Sequence, residues 1–262
     1  MPASERLLGC GANAEVFSWG EQHVLKLFFP WVEAATVERE FAAAQAVHAA
    51  GVPSPAVLEL LQIQDRRGIR FQRIHGDSMV TRVARKPWTL FGAARQLAEL
   101  HLSVHSHPAP AQLPSQRDQL QQRIKRAPGF SDAQKQHALD HIERLPAPTQ
   151  LCHGDFHPGN ILFTGNSPII IDWSAATAGY PLTDVARTSV LFESAEIPPT
   201  APIQIRLLMK FSRRLLHSRY LKRYLASSGE TLNEIEFWRV PQRFAGAAWR
   251  AERDAAIARL GT

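Results

Sequence analysis

Cysteine is scarce in this chain of 262 residues: Cys10 and Cys152 are the only two. So few fit a reducing compartment better than a disulfide framework. Long hydrophobic runs are missing as well, since no uninterrupted apolar stretch reaches the roughly 20 residues that a membrane-spanning helix needs. The start, Met1-Pro2-Ala3-Ser4-Glu5-Arg6, lacks the apolar h-region of a secretory signal. A cytoplasmic protein without membrane insertion is the expectation. Neither an internal repeat nor a long low-complexity segment is present.

Acidic residues are the scarcer charge, 24 against 30 Lys and Arg, for a formal net charge of +6. The excess raises the question of a nucleic-acid partner. Lys210, Arg213, Arg214, Arg219, Lys222 and Arg223 crowd one helix-like segment, with Leu207, Leu208, Phe211 and Leu215 available for an apolar face. Basic stripes bind phosphate backbones or acidic membrane surfaces, but more often they are the solvated side of an amphipathic helix. No nucleic acid is expected. With 45% hydrophobic residues, the chain can bury a substantial core in one large domain or two lobes.

What is present is a dense chemical block, Leu151-Cys152-His153-Gly154-Asp155-Phe156-His157-Pro158-Gly159-Asn160, followed by an apolar run that ends in Asp172-Trp173. Proline fixes φ and glycine permits unusual φ/ψ, so Pro158-Gly159 makes this a shaped turn. Ile161-Leu162-Phe163 and Ile169-Ile170-Ile171, separated by Thr164-Gly165-Asn166-Ser167-Pro168, predict a buried β-hairpin that returns Asp172 beside Asn160. Asn160 and Asp172 then offer oxygen ligands to a hard octahedral cation such as Mg²⁺, and Asp155 a carboxylate for a nucleophile's proton. The interval from Asp155 to Asn160 is that of the kinase catalytic loop.

The segments His153 to Asn160, Ile171-Asp172-Trp173 and Gly179-Tyr180-Pro181-Leu182-Thr183-Asp184-Val185-Ala186 resemble the aminoglycoside phosphotransferase and choline kinase-like family, relatives of the protein kinases. The resemblance implies Asp155 as catalytic base, Asn160 and Asp172 as magnesium ligands, His153 as a brace for the loop, and Asp184 as an organiser of the C-terminal lobe.

The N-terminal third supplies a nucleotide clamp in the matching order. Gly9-Cys10-Gly11-Ala12-Asn13-Ala14-Glu15-Val16 follows the pattern G-x-G-x-x-G-x-V with alanine at the third glycine, so backbone N–H groups around Gly9, Gly11 and Asn13 can approach phosphate oxygens. Val16 to Trp19 and His23 to Phe29 predict strands, and Lys26 interrupts the second. A lysine there either snorkels to solvent or meets an anion. The resemblance selects the anion, with Lys26 on the α- and β-phosphates. Its partner is Glu40 or Glu38, both on a helix predicted from about Val32 to Ala50. Gly51-Val52-Pro53-Ser54-Pro55 ends that helix. Two strands follow, Val57 to Ile63 and Ile69 to Ile74, joined by the turn Asp65-Arg66-Arg67-Gly68. By the resemblance, the backbone from Gln72 to Ile74 would bind the adenine.

Beyond the hinge the pattern turns helical: Thr89 to His105, about Asp132 to Leu145, Pro202 to Leu225 and Leu232 to Leu260, with Pro108 to Pro114 as an exposed connector. The expected architecture is α+β and two-lobed, protein-kinase-like, with a small antiparallel sheet and one main helix in residues 1–75 and a larger, mainly helical lobe in 76–262. The expected activity is transfer of the γ-phosphoryl group of ATP or GTP to a hydroxyl of a small molecule. Aminoglycosides, choline or other amino alcohols, and sugars are the acceptors considered. An aminoglycoside pocket requires carboxylates. From Leu151 onward 13 basic residues face 10 acidic ones, leaving Glu193, Glu196, Glu230, Glu234 and Glu236 as candidates. Two rivals use the same block. In an extended segment His153, Asp155 and His157 would share a face and could ligate a hydrolytic metal, and a catalytically silent kinase fold would keep the parts without turnover. Asp184 follows Asp172 by only twelve positions, too short an interval for the activation segment of a protein kinase.

Overall fold

The computed structural model describes residues 6–147, 149–194 and 202–260. Its N-terminal lobe is a five-stranded antiparallel sheet of β1 (Leu7–Cys10), β2 (Ala14–Trp19), β3 (His23–Phe28), β4 (Val57–Ile63) and β5 (Arg66–Gln72), in spatial order β1-β2-β3-β5-β4. Period-two alternation sets the faces. In β3, Leu25 and Leu27 are fully buried, and Lys26 points to the opposite side.

Between β3 and β4 runs the helix α1 (Ala34–Ala49), whose buried positions Val37, Glu40, Ala43, Ala44 and Val47 follow helical spacing. Ala43 and Val47 belong to the same apolar cluster as the helices of the C-terminal lobe. One helix therefore ties the two lobes together.

The turn between β4 and β5 is shorter than the sequence predicts. It is Gln64-Asp65, and Arg66, Arg67 and Gly68 are already in β5. Arg66 is drawn into the sheet because its guanidinium meets Glu15 at 2.8 Å and the carbonyls of Leu27 and Phe28 at 3.0 and 2.8 Å. β5 correspondingly stops at Gln72 instead of Ile74.

The C-terminal lobe begins with β6 (Asp77–Ser78) and α2 (Met79–Arg85), where the Ser78 hydroxyl caps the helix by accepting from Thr81 N. α3 (Leu90–His105), α4 (Gln116–Arg126) and α5 (Asp132–Glu143) follow; Ser131 and Gln134 form a capping box on α5. β7 (Gln150–Cys152) leads into the motif block. β8 (Ile161–Thr164) and β9 (Ser167–Ile170) are the predicted hairpin, with the turn tightened to Gly165-Asn166. Pro168 is tolerated because β9 is an edge strand of the sheet β6-β8-β9. β10 (Thr177–Gly179) pairs with β7. α6 (Pro181–Ser194), α7 (Ile203–Ser228) and α8 (Leu232–Leu260) complete the lobe.

On α7 the buried stripe is Leu216, Tyr220, Leu221 and Tyr224. The apolar face expected from Leu207, Leu208 and Phe211 is exposed instead, because only the second half of the helix lies among the buried core residues. No helix among the described residues is long and apolar enough to cross a membrane.

Candidate active site

Lys26 Nζ lies 2.6 Å from Glu40 Oε1 and 3.1 Å from Asp172 Oδ1. The choice between Glu40 and Glu38 is thereby made by helix phase: Glu40 is on the buried face of α1, while Glu38 points outward to Arg67 at 2.5 Å. Burial alone would lower the Lys26 ammonium, but the carboxylates of Asp172 and Glu40 outweigh it and raise its pKa. The charge of Lys26 in turn pulls Asp172 down to about 2. Glu40 is pushed upward by its burial, against the pull of Lys26.

Gly9, Val16 and Lys26 stand in one cross-strand row of β1, β2 and β3, so the glycine-bearing strand overlooks the lysine. Gly11 closes the turn between β1 and β2 by donating its N–H to Ala14 O at 2.8 Å, and the Asn13 carbonyl accepts from Phe29 N at 3.0 Å. At the hinge, Gln72 N is bonded to Ala56 O and Arg73 N to Gln22 O. No described residue accepts from Ile74 N.

Asp172 ends the β9 strand run in the left-handed region, φ 61° and ψ 69°. Aspartate visits this region more readily than most residues, at a cost that the surrounding structure must offset. The bond from Ile171 N to Asn160 O, 2.9 Å, sets the two proposed ligands side by side, as the hairpin predicts. Asn160 Nδ2 donates to the Asp155 carbonyl at 3.0 Å and to Asp155 Oδ2 at 3.3 Å, leaving its Oδ1 as the acceptor for anything further. Burial would raise the Asp155 carboxyl, but a hydrogen bond from His157 and the charges of His157 and Arg187 hold it below its ordinary value.

The loop carrying Asp155 is pinned from beneath. Asp184, fully buried on α6, accepts from His153 N at 2.6 Å and Gly154 N at 2.9 Å. His101 and His105 donate through Nε2 to Asp184 Oδ2 at 3.2 and 3.3 Å, and the hydroxyls of Tyr220 and Tyr224 donate to their Nδ1 atoms, both at 2.7 Å. Burial opposes ionisation of Asp184, yet the two imidazole donors keep its carboxyl well below the usual range. Burial depresses His101 to about 3, so this ring is neutral. Gly154 has φ 77°, and a Cβ there would collide with the Ala175 carbonyl, so only glycine fits between the aspartate anchor and the neighbouring chain.

His153 is fully buried, with Nδ1 accepting from Asp155 N at 3.2 Å and Nε2 donating to Ile171 O at 3.1 Å. It braces the loop and has no lone pair left for a metal, which overturns the His153/Asp155/His157 hydrolytic centre. The described carboxylates considered for a polycation fall into two pairs. Arg239 pairs with both Glu193 and Glu236. Glu230 and Glu234 lie near Tyr180 at the turn between α7 and α8, and Glu196 falls outside the described residues.

Sequence reasoning named Asp184 as an organiser of this lobe but gave no role to His105 or Arg187. His101 and His105 are four residues apart on α3, a spacing that signals one helical face, and Arg187 follows Asp184 by one turn of α6. Arg187 Nε donates to Gly154 O at 3.3 Å, and its Nη2 is 3.9 Å from Asp155 Oδ1.

This arrangement, a sheet-borne lysine–glutamate pair that meets Asp172 beside a pinned aspartate loop, is the two-lobed protein-kinase-like fold. Similar solved structures include a thermostable mutant of aminoglycoside phosphotransferase APH(4)-Ia, 19% identical with a TM-score of 0.62, matching 99% of this chain and 95% of that one. A choline/ethanolamine kinase family protein from Mesorhizobium loti is 18% identical with a TM-score of 0.63, over 98% of this chain and 87% of that one. An amicoumacin kinase solved with AMP-PNP and Ca²⁺ is 14% identical with a TM-score of 0.63, over 94% and 80%. Identities this low carry the fold and not the substrate. No curated protein sequence matches the chain. The phosphotransferase enzyme family model matches residues 8–209, and the chain belongs to that family.

Proposed function

We propose that the chain is a small-molecule kinase that moves the γ-phosphoryl group of ATP or GTP onto an alcohol. Residues 1–75 form the nucleotide lobe in this scheme and residues 76–262 the catalytic and acceptor lobe. The observation that carries it is the position of Lys26, within 3.1 Å of both Glu40 and Asp172. This joins the nucleotide side of the cleft to the metal side.

Asp155 accepts the proton of the acceptor hydroxyl as its oxygen bonds to the γ-phosphorus, and the bond from that phosphorus to the β–γ bridging oxygen breaks to release the nucleoside diphosphate. The carboxyl is suited to this task because it stays ionised below its ordinary pKa. Lys26 holds α- and β-phosphate oxygens, the strand and turn around Gly9, Gly11 and Asn13 cover the phosphates, and the backbone at Gln72 and Ile74 receives the base. Asn160 Oδ1 and the Asp172 carboxylate are hard oxygen donors, one neutral and one ionised down to about pH 2, and fit Mg²⁺. Bound there, Mg²⁺ would neutralise phosphate charge. The complex of the amicoumacin kinase relative with AMP-PNP and a divalent cation supports nucleotide use.

Asp155→Asn keeps the shape of the side chain and removes the base. Turnover is expected to fall by about 10²–10⁴-fold, with affinity for Mg²⁺–ATP changed less than about threefold. Acceptor-dependent ADP release and calorimetric nucleotide titration check the two halves. Undiminished turnover would remove Asp155 from its role.

A further inference from the structure

Beside Asp155 the molecule gathers guanidinium groups. Arg187 is 5% exposed, and the bond from its Nε to Gly154 O turns the Nη end toward Asp155. At 3.9 Å, Asp155 Oδ1 is too far from Nη2 for a hydrogen bond. Arg250, from α8, comes to the same place: a Cβ on Gly246 would lie 3.3 Å from Arg187 Nη1 and 3.6 Å from Arg250 Nη1. Glycine inside a helix costs roughly 1 kcal/mol relative to alanine, and here its missing side chain makes room for two guanidinium ends. Arg123, from α4, is close enough to interact with Asp155, Glu252 and Arg187.

Among the described residues, neither Arg123 nor Arg250 makes a side-chain hydrogen bond or an ion pair within 4.0 Å. Trp249 walls the cluster, with Arg187 5.8 Å and Arg253 5.5 Å from its ring. Burial pushes Arg187 down to about 10; Asp155 and Asp184 oppose that, while Arg123 and Arg250 add to it. Like charges collected without carboxylates to match are costly unless an anion completes the site. Asp155 is committed to the hydroxyl and Asp184 to the loop N–H groups and the two histidines, which leaves Glu252 as the carboxylate facing the three cations without another partner assigned above.

The geometry points to an acceptor alcohol that carries its own anionic group, a carboxylate or a phosphate, with its hydroxyl on Asp155 and its anion on Arg123, Arg187 and Arg250. Planar guanidinium forks match both oxyanions. Polycationic acceptors are excluded by the same charges. This assignment rests on Asp155 facing the acceptor.

The test uses the full chain saturated with Mg²⁺ and AMP-PNP, so that the nucleotide phosphate site is filled. Glycerate and gluconate form a carboxylate arm, glycerol 3-phosphate and ribose 5-phosphate a phosphate arm, and glycerol, ribose, choline and kanamycin the neutral and cationic comparisons. Thermal stabilisation is followed against concentration. Saturable stabilisation is expected in one anionic arm, at least tenfold tighter than with the neutral analogues, and the responding arm identifies the anion. Arg250→Gln and Arg123→Gln are expected to weaken it at least tenfold. Arg250→Lys should restore part of it, and Lys210→Gln, exposed on α7, should leave it unchanged. Should Arg123→Gln fail to fold, the partly exposed Arg250 pair decides.

Preference for a neutral or cationic compound, or no response to any anion in the unaltered chain, overturns the proposal. The kinase assignment stands or falls separately, on turnover in Asp155→Asn.

Discussion

Asp172 meets two demands at once: a left-handed backbone and an ion pair to Lys26. Alanine in its place would lose the charge while keeping the strained conformation. Asp172→Ala is expected to weaken Mg²⁺–ATP binding by at least about tenfold, the scale of one charge-assisted contact, and calorimetric titration at fixed Mg²⁺ measures it. Unchanged affinity would detach Asp172 from the metal and nucleotide. Residues of this sort were legible from sequence because their chemistry has few substitutes: a carboxylate, an amide oxygen and a glycine at fixed intervals in one loop. Glu40 was legible only as one of two glutamates, since helical phase, which decided it, depends on where α1 begins.

Helices and strands supply the anchoring that single residues cannot. α3, α6 and α7 each contribute to the network in which Asp184 receives His101, His105 and two backbone N–H groups. Asp184→Asn would keep the volume but put an NH₂ donor where one carboxylate oxygen now accepts. The expected loss is about 3–5 kcal/mol of stability, typical of breaking a buried charge network, read from urea unfolding. Tyr220→Phe removes a single donor to His101 and should cost about 1 kcal/mol. The stretches Ile69 to Gln72, Thr89 to His105 and Leu232 to Leu260 were readable from local periodicity. α2 and α4 were not, because short or Gln- and Arg-rich helices are fixed by capping serines and by the surfaces they cover, and α6 was not because it is buried nearly all round and so lacks an amphipathic repeat. Arg123, Arg187 and Arg250 lie on three separate helices, and no linear pattern announces that they meet.

For the whole molecule, acid stability follows from the neutral imidazoles in the core. His101 is held near 3 and His217 near 4, mainly by burial, and His153 is lowered by the same cause. In the unfolded chain each takes up a proton near its ordinary 6.5, so between that pH and the folded value the unfolded state binds more protons. Stability present above pH 6.5 is thus lost as pH falls toward 3, at about 1.4 kcal/mol per unit for each fully neutral ring. Asp184 and Asp172, both lowered, add to the loss only below about pH 4. Urea midpoints between pH 7 and 4 should decline steadily, and a flat profile would contradict neutral burial. The two-lobed layout itself was foreseeable from the order of motifs, glycine turn first, lysine strand next, aspartate loop last. The sharing of Ala43 and Val47 with the C-terminal core was not, because it depends on how the lobes dock.

The contact of Lys26 with Asp172 joins the sheet of the N-terminal lobe to the segment that follows β9 in the C-terminal lobe. In the proposed scheme an incoming phosphate would find its cation already engaged by a carboxylate, and admission would be an exchange of one oxyanion for another on a single ammonium.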